Sequence, residues 1–386
     1  MKKKIAILGS TGSIGKSLID IIKKDKKNFE IILLSANENY KELLKQAKFF
    51  KVKNLIVTDE DSFSKLKNDK SCKNINIYNN FDNFTKIFKK KIDYTMCSIS
   101  GIQGLKPTIE IIKYTKKIAI ANKESIICAW NILSKELKKN KTKFIPVDSE
   151  HFSIWYGLKN NKDLIEKIFI TASGGPFLNL PYSKFRNIKI KEALKHPNWK
   201  MGKKITIDSA TLVNKGIEGI EASILFNINL KQVDILIHPA SLIHGIVNFI
   251  DGSSHLVASS PDMRVPISFA LSWPDRSVTK VKFIDFIQNN GLNFIKPDSK
   301  KFPALSLKKI VSDSVFTKST IIVLNAANEI AVDNFLKKNI KFDDIVKTIK
   351  KTIYEFNHSE VKTLKDILSV DCEARLLTNK IIKKNN

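Results

Sequence analysis

A chain of 386 residues with 43% hydrophobic content is long enough for about two or three globular units, each burying its own core. Its four cysteines, Cys72, Cys97, Cys128 and Cys372, form no C-x-x-C pair and no regular framework, which excludes a disulfide-stapled scaffold and points to reduced thiols in a cytoplasmic protein. The formal net charge of +28 admits nucleic acid or an anionic membrane as partner, but the lysines are scattered without aromatic clustering, so a solvated lysine surface is expected.

After Met1-Lys2-Lys3-Lys4, the apolar run Ile5-Ala6-Ile7-Leu8 is too short for the core of a signal peptide and reads as a buried strand over residues 4–8. Gly9-Ser10-Thr11-Gly12-Ser13-Ile14-Gly15 follows it and opens a helix over 14–22. Glycines allow a tight turn and close backbone approach, and the amides of a helix N-terminus bind a pyrophosphate, so this loop is a dinucleotide site. Its G-x-x-G-x-x-G spacing departs from the commoner G-x-G-x-x-G, and its placement between strand and helix carries the assignment. A strand over 31–35 ends in Ser35-Ala36-Asn37-Glu38-Asn39, where an acid bonds a ribose 2′-hydroxyl and a base takes a 2′-phosphate. By that rule Glu38 leans towards NAD, although it is equally placed to face solvent beside Lys41.

Helix 41–50, strand 55–58, strand 92–98, helix 108–114 and strand 118–121 continue the alternation, which implies parallel strands with crossover helices in a doubly wound α/β sheet. Near Pro146 the pattern changes to an α+β region, with strands 167–172, 233–237 and 246–250 and a helix beginning near Ser209. The apolar stretch 233–250 carries Asp234, His238, Pro239, Ser241 and His244, so no membrane span is expected there. Residues 273–303 lack periodicity, and from Leu305 the apolar spacing is that of a small helical bundle ending in a basic tail, 380–386. The expected division is a Rossmann-like nucleotide domain 1–147, a catalytic domain 148–272 with a lid loop 196–202, a linker 273–299 and a C-terminal helical domain 300–386.

Two segments carry the chemistry. In Pro146-Val147-Asp148-Ser149-Glu150-His151, read as extended chain, Asp148 and Glu150 point one way and Ser149 the other. In Asn214-Lys215-Gly216-Ile217-Glu218, read as helix, Asn214 and Glu218 share a face with Lys215 one step round. Three carboxylates and a lysine therefore offer a divalent cation and a phosphate one shared site, and carboxylate oxygens select hard cations such as Mg²⁺ or Mn²⁺. Helical spacing alone does not separate Glu218 from Glu221 as the third ligand. His238 and His244 flank a strand, but no third imidazole or thiol completes a zinc set, and Cys97 lacks an assigned base, so all three read as structural.

Together the motifs resemble the 1-deoxy-D-xylulose 5-phosphate reductoisomerase family. The resemblance runs in order through the glycine loop, Ala121-Asn122-Lys123-Glu124-Ser125, the Pro146–His151 segment, Ser173-Gly174-Gly175-Pro176-Phe177 and His196-Pro197-Asn198-Trp199-Lys200-Met201-Gly202. It continues through Asp208-Ser209-Ala210-Thr211, the Asn214–Glu218 segment, His238-Pro239-Ala240-Ser241-Leu242-Ile243-His244, Pro261-Asp262-Met263-Arg264 and Leu324-Asn325-Ala326-Ala327-Asn328-Glu329. It implies a metal-dependent isomerisation and NADPH-dependent reduction of 1-deoxy-D-xylulose 5-phosphate to 2-C-methyl-D-erythritol 4-phosphate in non-mevalonate isoprenoid biosynthesis, by a cytoplasmic homodimer.

The resemblance also implies roles. Asp148, Glu150 and Glu218 bind Mg²⁺ or Mn²⁺, with Co²⁺ a further candidate, and with Lys123 make up the catalytic set. Lys123, Ser149, Glu150 and Glu218 contact the substrate, Ser173, Ser209, Asn214 and Lys215 hold its phosphate, and His196 and Trp199 lie on the lid over it. Thr11, Gly12, Ser13, Ile14, Asn37, Glu38, Asn39, Asn122, Glu124 and Gly202 are placed at NADPH. Relatives often carry glycine and a basic residue where this chain has Asn37 and Glu38, which narrows the expected preference for NADPH over NADH. Two other readings compete: a metal-independent nicotinamide-dependent dehydrogenase of another phosphorylated or acidic substrate, sharing only the nucleotide domain, and a basic polyanion-binding protein.

Overall fold

A computed structural model describes residues 2–158, 164–199, 201–289, 291–312 and 319–385. Lys200 of the expected lid, Asn290 of the expected linker, and 313–318 and 386 of the expected helical domain lie outside the described residues. The chain divides into two compact units, Met1–Asp148 with Met263–Val281, and Ser149–Asp262 with Lys282–Asn386.

The first unit begins β1 (Lys3–Leu8), α1 (Ser13–Lys24), β2 (Phe29–Ala36), α2 (Tyr40–Phe50), β3 (Asn54–Val57), α3 (Glu60–Lys67), β4 (Asn76–Tyr78) and α4 (Phe84–Ile87). It continues β5 (Ile92–Cys97), α5 (Leu105–Ile111), β6 (Thr115–Ile120), α6 (Lys123–Lys139) and β7 (Lys143–Pro146). Every strand pairing is parallel, in the order β4-β3-β2-β1-β5-β6-β7. Ile5, Ala6, Ile7 and Leu8 are wholly buried, as a central parallel strand covered on both faces requires. On α1 only Gly15, Leu18, Ile19 and Ile22 are buried, and Lys23 and Lys24 lie in its last turn, where cations suit the helix dipole.

The sheet reverses its winding between β1 and β5, and the glycine loop leaves β1 at that switch point. Two glycines there have no substitute. Gly9 has φ +84, and a Cβ on it would stand 2.7 Å from Ser98 O, while one on Gly15 would stand 2.4 Å from Gly9 O. The Ser35 hydroxyl at the end of β2 accepts the Gly9 amide at 2.9 Å and fixes the loop to the sheet.

The second unit opens with α7 (Ser149–Leu158), β8 (Ile165–Ala172), α8 (Ile190–Ala193), α9 (Lys203–Ala210), α10 (Val213–Phe226), β9 (Val233–Ile237), β10 (Ile243–Phe249) and β11 (Ser254–Ala258). Its sheet has the order β11-β10-β8-β9, with β8 and β9 parallel and the other pairs antiparallel. Ile154 and Leu158 of α7 and Ala222 and Phe226 of α10 share a core with Ile168 and Ile170 of β8 and Val247 of β10, so these two helices are held to the sheet by apolar burial. The chain then supplies α11 (Arg264–Ser272) to the first unit, against α1, and returns as α12 (Leu307–Ser312), α13 (Ser319–Leu336), α14 (Asp344–Glu355) and α15 (Leu364–Asn385). The last three pack on one another as a bundle, and the basic tail is the end of α15. The fold is thus the mixed α/β architecture expected, with a parallel sheet at the N-terminus and helices at the C-terminus.

Two local expectations are corrected. The Pro146–His151 segment is not extended: β7 stops at Pro146 and α7 starts at Ser149. Likewise no single helix starts near Ser209; α9 ends at Ala210, and Leu212, with φ +58, turns the chain before α10. The second break falls where a polar side chain competes for backbone groups, the Thr211 hydroxyl donating to Ile207 O and Asp208 O and accepting from Val213 N.

Candidate active site

The strand-to-helix turn assembles the carboxylates. Asp148 is the residue at which the chain enters the second unit, so the peptide chain itself carries it to Glu150 on the first turn of α7. Glu218 projects from α10, and oxygens of Asp148, Glu150 and Glu218 lie within 4.8 Å of one another. Ser149 does not point away as an extended strand would have it: its hydroxyl donates to Glu150 Oε2 at 2.7 Å, holding that carboxylate. The four-residue spacing on α10 brings the Asn214 amide to donate to Glu218 Oε1, and Lys215 Nζ bonds Glu150 and stands 2.7 Å from Glu218 Oε2. Lys123, on the first turn of α6 capped by Asn122, places its ammonium 3.7 Å from Asp148. Among the described residues, Lys123 thus pairs with Asp148, and Lys215 with both Glu150 and Glu218. Three carboxylate oxygens at this separation suit a hard cation.

Beside the trio lie the groups assigned to phosphate. Ser173 follows β8 and Ser209 lies in the last turn of α9, and the left-handed Gly175 lets the two segments touch, since a Cβ there would stand 3.1 Å from Ser209 O. His196 Nδ1 accepts the amides of Asn198 at 3.1 Å and Trp199 at 2.9 Å, so its proton sits on Nε2 and is donated to Ser173 Oγ at 3.1 Å. Ser173 Oγ also accepts from Gly175 N at 3.1 Å, which leaves its own proton to donate to a bound oxyanion. The Asn198 amide donates to Ser241 Oγ at 2.8 Å and Pro239 O at 2.9 Å, and the Trp199 ring lies 6.0 Å from that of His244. Gly202, with open space around it, starts α9.

Burial first, and then the positive charge of Lys215, push His196 down from 6.5 to about 4. With its folded-state value depressed, the unfolded chain takes up a proton that the folded one refuses between pH 6.5 and 4. The stability tied to this neutral imidazole is therefore complete above pH 6.5 and lost as the pH falls towards 4. Thermal unfolding of the parent and of His196→Asn at pH 7.5 and at pH 5 should show the parent losing more. An equal loss in both would contradict the assignment.

At the nucleotide loop, Thr11 and Ile14 are half-buried and Gly12 and Ser13 exposed. Asn37, Glu38 and Asn39 are exposed as well. Asn37 accepts the Thr58 hydroxyl at 2.8 Å and Asn39 caps α2 through Glu42 N, so Glu38 is set on a fixed turn. The Asn122 amide donates to Gly101 O at 2.8 Å while its oxygen accepts Ser125 N at 2.6 Å, and Glu124 beside it is buried.

The structural readings of Cys97, His238 and His244 agree with their surroundings. Cys97 is buried and desolvation pushes its thiol up to about 12, which disqualifies it as a nucleophile. His238 Nδ1 lies 2.9 Å from Asn293 O, and His244 Nε2 lies 3.3 Å from Ser259 O. The sequence alone gives His151 no role, yet it is wholly buried, with Nε2 3.1 Å from Glu218 O and 3.7 Å from Glu221 Oε2. Its adjacency to Glu150 was the available signal. Glu221 thus faces His151, and the carboxylate grouped with Asp148 and Glu150 is that of Glu218.

Family models match most of the chain. The model described as 1-deoxy-D-xylulose 5-phosphate reductoisomerase matches residues 5–130, and two models of that enzyme's C-terminal domains match 144–226 and 258–377. The 1-deoxy-D-xylulose 5-phosphate reductoisomerase of Pelagibacter ubique is 54% identical over 368 residues, covering 94% of each chain. The solved structure of 1-deoxy-D-xylulose 5-phosphate reductoisomerase from Zymomonas mobilis in complex with NADPH superposes with a TM-score of 0.90 at 37% identity, covering 99% of both chains. A second reductoisomerase structure, in complex with NADPH, fosmidomycin and magnesium, gives a TM-score of 0.90 at 34% identity over 99% of this chain and 98% of that one. Over nearly its whole length, then, the chain belongs to the 1-deoxy-D-xylulose 5-phosphate reductoisomerase family.

Proposed function

We propose that the chain carries out the metal-dependent isomerisation and NADPH-dependent reduction of 1-deoxy-D-xylulose 5-phosphate to 2-C-methyl-D-erythritol 4-phosphate in non-mevalonate isoprenoid biosynthesis. The observation that carries this reading is the carboxylate trio set beside a phosphate-competent group of hydroxyls, an amide and a lysine. A metal-independent dehydrogenase would have no use for that trio.

Asp148, Glu150 and Glu218 would hold a divalent cation, Mg²⁺ or Mn²⁺ by their oxygen chemistry, with Co²⁺ also admitted. When bound, the cation supplies Lewis acidity to adjacent carbonyl and hydroxyl oxygens, and NADPH supplies the hydride. Lys123 and Ser149 orient the substrate's carbon backbone beside Glu150 and Glu218. Ser173, Ser209 and Asn214 offer directional donors to the phosphate, and Lys215 offers a point charge. His196, in the tautomer that keeps Ser173 available as a donor, and Trp199 belong to a lid, 196–202, that excludes water. Thr11, Gly12, Ser13, Ile14, Asn37, Glu38, Asn39, Asn122, Glu124 and Gly202 are the proposed NADPH contacts. The parts they serve are the nucleotide domain 1–147, the catalytic domain 148–272, the linker 273–299 and the helical domain 300–386.

Purified protein given 1-deoxy-D-xylulose 5-phosphate, Mn²⁺ and NADPH should oxidise the cofactor; no oxidation by protein that unfolds cooperatively on heating would remove the reading. With both nucleotides compared, kcat/KM should favour NADPH by a narrow margin, because the exposed Glu38 carboxylate opposes a 2′-phosphate. We also propose a cytoplasmic homodimer. The free thiols of Cys72, Cys97 and Cys372 support the compartment, and no helix among the described residues is long and apolar enough to cross a membrane. Phe283 and Ile287, 93% and 89% exposed in the single chain, support burial against a second copy. Light scattering that found only monomer at working concentration would overturn the dimer.

A further inference from the structure

The Leu324–Glu329 segment is far along the chain from every residue assigned a role above, yet it puts a buried polar group on the helix that carries Ser209. Asn328, on α13, is wholly buried, and its Nδ2 donates to Asp208 Oδ1 at 2.9 Å. Asp208 is itself only 2% exposed, and its other oxygen, Oδ2, lies 3.0 Å from Lys204 Nζ one turn earlier on α9. The amide orientation follows from chemistry, since a carboxylate only accepts and Asn328 must turn its NH₂ group to it. Asn328 Oδ1, in turn, has no hydrogen-bond partner among the described residues.

That orphaned oxygen is informative. Around Asn328 most buried residues of α13 are apolar, among them Val323, Leu324, Ala327 and Ala331, with Asn325 the polar exception, so a residue present for packing alone would more often be apolar. Burying an amide with half its capacity unused is costly unless the half that is used holds something in place. What it holds is the carboxylate of the residue immediately before Ser209, on an eight-residue helix whose N-terminus is Gly202, at the end of the lid. A helix that short has little stability of its own and takes its position from its contacts.

We infer that Asn328 and Asp208 are a positioning pair, through which the C-terminal helical bundle sets the place of Ser209 for the substrate's phosphate. The inference rests on the proposed phosphate role of Ser209. Neither residue touches substrate; each acts through α9. Displacing a donor by a fraction of an ångström weakens its bond to the phosphate without altering the carboxylate trio, so binding should suffer and turnover should not.

The experiment is steady-state kinetics of Asn328→Leu, close in volume to the parent residue but unable to donate. The KM for 1-deoxy-D-xylulose 5-phosphate should rise about tenfold with kcat within about twofold, and the Ki of inorganic phosphate as competitive inhibitor should rise in parallel. Arg375→Gln is the comparator: Arg375 on α15 donates to Asp371 at 2.7 Å and to Glu329, tying the bundle together without reaching α9. It should lower the Tm and leave KM alone. A KM for Asn328→Leu within twofold of the parent, with a Tm loss like that of Arg375→Gln, would overturn the inference. If the leucine variant does not fold, Asn328→Ser, whose hydroxyl is too short to reach Asp208, is read in the same way. Ser209→Ala tests the underlying assignment separately: an unchanged KM there removes the phosphate role itself, whereas a raised KM beside an unaffected Asn328→Leu removes only the positioning pair.

Discussion

Exchanging Glu218 for glutamine should lower kcat/KM by on the order of 10³-fold while leaving the fold intact. Glutamine keeps the shape of the side chain and can still accept from Asn214, and Lys215 keeps its bond to Glu150, so the local packing has what it needs. What disappears is one of three negative charges gathered within 4.8 Å. Affinity for Mg²⁺ or Mn²⁺ should fall at least about 10- to 100-fold, since even residues that merely orient metal ligands contribute that much. Raising the cation concentration should therefore recover part of the loss. The matched variant is Glu221→Gln. Glu221 faces His151 and is as deeply buried, so its loss should lower the Tm and leave the dependence on cation close to the parent's. Were Glu218→Gln to retain activity within tenfold of the parent with unchanged cation dependence, the metal-independent dehydrogenase would be the better account.

The pairing of these two glutamates shows where the sequence is legible and where it is not. The doubly wound sheet could be read because each buried strand, such as residues 5–8, is continuously apolar and each crossover helix is amphipathic. Asn214, Lys215 and Glu218 could be read because a helix has one period. The carboxylate trio could be named from Asp148-Ser149-Glu150 but not placed for the right reason, because an alternation of two residues fits a strand and a strand-to-helix turn equally well. Glu218 and Glu221 lie one turn apart, and which of them faces Asp148 depends on how α10 is rotated against the β8–β10 sheet. That rotation is set by Ala222 and Phe226 in a core formed with residues distant in the chain, and no local spacing encodes it. Asp208 and Asn328 were invisible as a pair for the same reason: 120 residues separate them, and only the packing of α13 on α9 brings them together.

Lys215 is proposed as a phosphate ligand, its ion pairs in the structure give it a second duty, and Lys215→Met should separate the two. Its ammonium is bonded to both Glu150 and Glu218, and the side chains of Lys215 and Glu218 are 8% and 2% exposed. Removing the charge leaves two carboxylates facing each other in a poorly hydrated site, which should destabilise the cation-free protein by about 3–5 kcal/mol. A bound divalent cation restores the missing positive charge at those same oxygens. Millimolar Mg²⁺ or Mn²⁺ should therefore raise the Tm of Lys215→Met more than that of the parent, and the gap seen in chelator should narrow. The phosphate duty has no such substitute: with cation saturating, KM for the substrate should still be raised by about 10- to 100-fold, the worth of a charge-assisted bond. A gap that stayed constant from chelator to saturating cation would show that the carboxylates do not share one cation. A KM that recovered fully with it would show that Lys215 serves the trio and not the phosphate.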